Sequence, residues 1–328
     1  MIRYATAIAL LASLPSLAEQ NGAYLHWNID HTQRTPHPAH PLSPDEAAVV
    51  NHYAVQYDGE GRLSKVTFMH KGKPASGGDH GAASVEFHYT PDKTTETYSN
   101  PDGSPASARG IFRKVYHHAG GGFWTHVTFE NEDGSPAKLA GGYSEVRVIR
   151  DEAGRVIKET RHDREGGMVP EHNGFPHANF VYDDRGFARY RQFADDSGKL
   201  QNGSLGYARV AFKFDPHGNF LEEHAEDASG EPATLSAGFH RIEWREFNQY
   251  GMPARVYYFD TGGYVYQPYA FSVREYLPTT QRSSIAYFGP MQEPVMHPQG
   301  FHRINYEYAE DGSVLSRTRI DTAGNIKE

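Results

Sequence analysis

Four imidazoles and a carboxylate crowd one short stretch near the N-terminus: His26, Asp30, His31, His37 and His40. Neutral imidazole is a ligand for Zn²⁺ and Cu²⁺, so the stretch is a candidate metal site. Its spacing is not that of a known ligand set, and prolines separate the later histidines. The plainer reading is a polar, proline-rich leader lying over whatever follows. A second group is aromatic: Tyr257, Tyr258, Tyr264, Tyr266 and Tyr269, with Trp124 and Trp244 elsewhere. Such rings stack on sugars or anchor a protein partner, and they also fill the cores of sheets. The tyrosine cluster is the denser signal and is taken as the candidate binding site.

Other chemistry is harder to find. The chain holds no nucleophile elbow, zincin helix, phosphate loop, dinucleotide fingerprint or zinc-deaminase signature. With no cysteine there is no disulfide, thiolate metal site or cysteine nucleophile. Neighbouring carboxylates such as Glu222-Glu223 and Asp195-Asp196 point to opposite faces of a strand, so adjacency alone makes no acid and base pair. The formal charge of −9, with both signs interleaved, leaves no basic stripe for nucleic acid.

These residues sit on a repeat. Glycine-aromatic pairs recur at Gly142-Tyr143, Gly174-Phe175, Gly206-Tyr207, Gly238-Phe239 and Gly300-Phe301. Within a unit, Asp-x-x-Gly occurs twice, as in Asp151 to Gly154 and Asp163 to Gly166, or Asp183 to Gly186 and Asp195 to Gly198. Aspartate opening a type I turn accepts hydrogen bonds from backbone amides ahead of it, and glycine at the fourth position takes the left-handed conformation that closes a hairpin. Stacked turn aspartates raise Ca²⁺ binding, but the acidic consensus of calcium-binding β-solenoids is absent, and turn initiation accounts for each residue.

Between turns the pattern has period two. Val210, Phe212 and Phe214 alternate with Arg209, Ala211 and Lys213, and Ile304, Tyr306 and Tyr308 with Arg303, Asn305 and Glu307. Period two is a half-buried strand. The sequence therefore predicts an all-β chain: a tandem β-hairpin repeat array, antiparallel, solenoid-like or a coiled meander, with about nine units of 29 to 32 residues. A unit spanning residues 269 to 299 keeps its length but loses most of its glycines. A lone hairpin cannot bury its apolar face, so each unit must stack on its neighbours. Ser43-Pro44-Asp45-Glu46 is a helix start signal, which makes a short cap helix one reading of the next few residues.

The text Tyr57-Asp58-Gly59-Glu60-Gly61-Arg62, again at Tyr182-Asp183-Asp184-Arg185-Gly186 and Phe214-Asp215-Pro216-His217-Gly218, resembles the tyrosine-aspartate repeat of bacterial Rhs and related cell-surface shell proteins. The likeness covers the short core of each unit, whose period here is longer. Whole units are also similar to tandem repeats of bacterial exported proteins. The resemblance implies a β-repeat fold and brings no activity with it.

Residues 1–18 read as a secretory signal peptide: Arg3, an apolar run from Tyr4 to Leu17, and Ser16 and Ala18 at the small-residue positions before Glu19. Residues 19–44 then form the His/Pro-rich leader and 45–328 one repeat domain. The expectation is a periplasmic or secreted, non-enzymatic binding or scaffold protein that presents an extended β surface to a protein or glycan partner. Two alternatives stand beside it: a periplasmic Zn²⁺ or Cu²⁺ protein using the leader histidines, and a hydrolase with its site near the degenerate unit.

Overall fold

A computed structural model describes residues 21–28, 37–76, 78, 81–119, 123–170, 174–175, 177–195, 197–216 and 219–327. The expected signal peptide and His31 lie outside these residues. Within them the chain is an all-antiparallel meander of nine hairpins. Their first strands are His52–Tyr57, Ser84–Tyr89, Arg113–His118, Glu145–Arg150, His177–Tyr182, Arg209–Phe214, Arg241–Phe247, Phe271–Tyr276 and Arg303–Tyr308. Their second strands are Leu63–His70, Lys93–Ser99, Trp124–Glu130, Val156–His162, Ala188–Gln192, Phe220–Glu226, Pro253–Phe259, Arg282–Phe288 and Val314–Ile320. The hairpins, numbered here as units 1 to 9, start 29 to 32 residues apart, as the period predicts.

Each strand pairs with the strands that flank it in sequence, so one ladder runs through all nine units. The leader joins the same sheet. Its strands Gly22–Asn28 and His37–Pro41 form a hairpin whose first strand pairs with His52–Tyr57, Gly22 lying opposite Val55. The predicted helix is present as Pro44–Val49 and carries a capping box. The Ser43 hydroxyl accepts from the Glu46 amide at 3.3 Å, and the Glu46 carboxylate accepts from the Ser43 amide at 2.9 Å.

The tyrosine-aspartate pair has a separate job for each residue. Asp58 accepts the amides of Glu60 and Arg62, both at 2.9 Å, and Gly61 closes the turn at φ +75°. The tyrosine position reaches back one unit, in Tyr182-Asp183 and equally where no aspartate follows: Tyr182 donates to the Val156 carbonyl at 2.6 Å, Tyr89 to Leu63 at 2.7 Å, Tyr276 to Pro253 at 3.1 Å and Tyr308 to Arg282 at 2.8 Å. One residue thus shapes the turn while its neighbour staples consecutive units. In unit 4, Arg150 replaces the tyrosine and its Nε donates to the Trp124 carbonyl at 3.2 Å, which is the same reach.

The sequence reading of two turns per unit is incomplete. A third tight turn follows the second, closed by amide-to-carbonyl bonds such as Gly142 to Leu139, Gly206 to Gly203, Gly238 to Leu235 and Gly300 to His297. In these four turns the glycine of the glycine-aromatic pair is the fourth residue. The degenerate unit keeps a complete hairpin without glycine, because Thr280 closes its turn in the left-handed conformation at φ +72°; Gln292, at φ +65°, closes the second turn in the same way.

Alternation sorts the side chains onto two faces. The core face carries Val66, Phe68, Val85 and Phe87 in units 1 and 2, then Val127, Phe129 and Val146, then Ile242, Val256 and Tyr258. Burying each such side chain contributes roughly 1.5–3 kcal/mol. The outer face carries the alternate, mostly polar and charged residues, linked in pairs such as Lys65 with Glu86 at 2.7 Å and Arg113 with Glu130 at 2.9 Å. No helix among the described residues is long and apolar enough to cross a membrane.

Candidate functional site

The five tyrosines singled out in the sequence do not form one surface. Tyr269 is a buried hub, with ring centroids 4.8 Å from Tyr258, 5.2 Å from Tyr266 and 4.9 Å from Tyr287, all edge-on, and His297 stacked at 5.1 Å. Phe239 and Phe301 extend the cluster. Edge-to-face packing of this kind is core chemistry. Burial, followed by the neighbouring tyrosines, pushes the Tyr269 hydroxyl well above its ordinary range, and burial first of all raises Tyr287 to about 12. Tyr257 lies on the opposite face, 5.4 Å from Phe271 and beneath the Arg245 guanidinium at 4.6 Å. Tyr264 stands apart on the second turn of unit 7, 74 % exposed.

The same region holds three carboxylates, and each has a structural partner. Asp260 accepts the amides of Gly262 and Tyr264 in its own turn, Glu293 accepts the Met291 amide, and Glu275 pairs with Arg303 and Ser284. None is left facing a cleft with an acid or base partner.

In the backbone register of the leader hairpin His26 lies opposite Ala39 and His37 opposite Asn28. His40 stands between the paired residues Ala39 and Pro41 and takes the left-handed conformation, at φ +58°. Among the described residues no group of three or more His, Asp or Glu side chains is arranged to hold a metal ion. The turn aspartates spend their oxygens on their own loops: Asp195 accepts from the Ser197 and Lys199 amides, the Ser197 hydroxyl and Gln201.

A different place collects polar chemistry. In units 3 and 4, Thr125, His126, Arg147, Val148, Ile149, Lys158, Thr160 and His162 line an open groove of about 470 Å³. Register explains the gathering: His126 lies opposite Arg147, Arg147 opposite Thr160, Ile149 opposite Lys158 and Glu145 opposite His162, all outward positions on three adjacent strands. Beyond the groove, His117 stacks flat on His126 with centroids 4.1 Å apart and planes 2° from parallel. Burial, then the His126 ring, holds the His117 pKa below the ordinary imidazole value. Arg147 is half exposed and held by a two-point pair with Glu145, at 2.7 and 3.1 Å. His162 is buried against Thr160 Oγ1 at 3.0 Å and the Gly166 carbonyl at 3.1 Å.

None of these groove residues stood out in the sequence. The signal was present as outward positions in the alternation of Val146 and Val148 with Glu145 and Arg147, but only strand register brings His126, Arg147 and Lys158 side by side.

No family model and no curated protein matches the chain. Among solved structures it is similar to the Tc holotoxin pore of Photorhabdus luminescens, at 12% identity and a TM-score of 0.32 over 84% of this chain and 13% of that one. It is also similar to a porin-like protein from Bacteroides uniformis ATCC 8492, at 9% identity and a TM-score of 0.32 over 72% of this chain and 88% of that one. A TcdB2-TccC3 crystal structure gives 13% identity and a TM-score of 0.25 over 84% of this chain and 18% of that one. These scores are too low to assign a shared fold, and the chain spans only a small part of the toxin proteins.

Proposed function

We propose that this protein is an exported, non-enzymatic binding scaffold whose outer sheet face holds an anionic glycan in the groove of units 3 and 4. The observation that carries the reading is the composition of that groove: two fixed cations, Arg147 and Lys158, with two imidazoles and two threonine hydroxyls and one carboxylate, Glu145, at its side. An open trough with two cations and one flanking carboxylate suits a hydrated, flexible chain of carboxylated sugars, whose ring faces can rest on Val148 and Ile149. The ladder beneath it is continuous and makes the platform rigid.

Titration calorimetry with an oligogalacturonate and a neutral oligosaccharide of equal length tests this. The expected result is binding of the acidic chain alone, weakening from 50 to 300 mM NaCl through screening and falling at least about tenfold in Arg147→Glu/Lys158→Glu, since two charge reversals beside the ligand exceed roughly 1.4 kcal/mol. Equal binding of the neutral chain, or no effect of charge reversal, overturns it.

A further inference from the structure

Units 1 and 9 are far apart in sequence, yet they touch. The Asn51 amide donates to the Thr279 carbonyl at 2.9 Å, joining the entry to unit 1 with the first turn of unit 8. His70, at the end of unit 1, lies against Gly312 in the first turn of unit 9, where an added Cβ would stand 2.8 Å from the imidazole Cγ. Gln281 ties the two turns together by donating to the Gly312 carbonyl at 2.7 Å. The array therefore coils until its beginning meets units 8 and 9. A cavity of about 350 Å³ lies along this seam, lined in part by His70, Lys71, Thr279 and Glu307.

Two features make the seam a built joint. Thr280 holds φ +72° in a turn where most other units place glycine, a costly conformation for a β-branched residue. His70 is 4 % exposed; its Nδ1 lies 2.7 Å from Asn51 Oδ1, and its buried Nε2 has no partner. An amide oxygen only accepts, so Nδ1 carries the proton and Nε2 is a bare acceptor. A second proton on Nε2 would create a buried charge with an unsatisfied donor.

We propose that this seam is a pH-gated latch, closed while His70 is neutral and released when its imidazole is protonated. The charged and titratable groups around it are Lys71 on its own turn, Asp311 on the turn of unit 9, Tyr306, Glu307 and Tyr308 along the cavity and His52 on the neighbouring strand. Burial lowers the His70 pKa from its ordinary 6.5, Lys71 lowers it further and Asp311 opposes both. Asp311 is engaged by the amide and hydroxyl of Ser313, at 3.0 and 2.7 Å. The open seam takes up the proton more readily than the closed one. Closure is thus fully present above pH 6.5 and weakens as pH falls below it, approaching tenfold per pH unit until the closed-state pKa is reached.

Hydrogen exchange on the full chain at pH 7.5, 6.5 and 5.5, corrected for intrinsic exchange rates, tests the latch. The Asn51 amide should lose protection from pH 6.5 to 5.5, by up to about fivefold, while the ladder amides of Glu145–Arg150 stay unchanged. His70→Gln should flatten that dependence. Unchanged protection at Asn51 in the wild type overturns the proposal, and so does the same pH dependence in His70→Gln. If that variant fails to fold, the wild-type comparison of seam with ladder decides alone.

Discussion

Replacing Glu96 with valine should cost this protein far more than its place in the repeat implies. Glu96 occupies the core-face position that valine holds at Val66, Val127 and Val256, and it is fully buried. Its carboxylate accepts from the Tyr98 hydroxyl, from the Tyr116 hydroxyl at 2.8 Å and from Lys114 Nζ at 2.9 Å. Burial, followed by the Glu96 charge, drives both tyrosine pKa values upward, so the two hydroxyls remain donors across the working range. Glu96→Val removes the acceptor from two buried hydroxyls and strands an ammonium whose side chain is only 18% exposed. Breaking a buried ion pair from one side costs about 3–5 kcal/mol.

The partners are themselves departures from the repeat. Tyr98 stands where units 1 and 3 have Phe68 and Phe129, Tyr116 where unit 2 has Phe87, and Lys114 where Val85 and Val146 stand. The fourfold variant Glu96→Val/Tyr98→Phe/Tyr116→Phe/Lys114→Val therefore restores an apolar core of repeat type. It should recover most of the loss and reach within about 1 kcal/mol of wild type, or exceed it. Urea unfolding followed by circular dichroism, with exchange protection of the Lys93–Ser99 amides as the local readout, measures both. A single variant within 1 kcal/mol of wild type would refute the reasoning, as would a fourfold variant no better than the single one.

Other outcomes follow from the same contacts. Tyr182→Phe removes the hydrogen bond to the Val156 carbonyl and should lower stability by about 1 kcal/mol, a cost bounded because Phe214 fills that position in unit 6; an unchanged urea midpoint contradicts the staple. Thr280→Gly relieves a left-handed β-branched residue and should stabilise by roughly 0.5–1 kcal/mol in thermal unfolding, with no gain if the turn is unstrained. Hydrogen bonding within their turns, led by the Ser197 hydroxyl and the Asn325 amide respectively, holds the Asp195 and Asp321 carboxyls at about 2. A depressed carboxyl pKa contributes stability that is present above the unfolded value, near 3.9, and lost as pH falls towards 2. Unfolding midpoints should drop across that window, and Asp195→Asn/Asp321→Asn should drop less.

Turn chemistry made most of the fold legible. Asp-x-x-Gly at fixed spacing and strict alternation place nine hairpins in one antiparallel meander, because each signal is local to a few residues. The coiled closure was not legible, since it depends on Asn51 meeting Thr279 across the whole array. The third turn was half visible: its glycine was noted, but Leu139 and Leu235, which open two of these turns, carry no turn signature. The crowding of Tyr258, Tyr266 and Tyr269 drew attention because it is dense and borders the degenerate unit, yet these rings pack into core. The groove was silent for the opposite reason. His126, Arg147 and Lys158 are ordinary outward residues in their own strands, and only register makes them neighbours.

Exchange footprinting of the protein with a bound oligogalacturonate tests the central claim most directly. Protection gained at Thr125–Thr128, Glu145–Ile149 and Lys158–His162, with none at Tyr257–Tyr269, is the result this account predicts. Protection centred on the tyrosine cluster or the leader hairpin, with the groove unchanged, would contradict it.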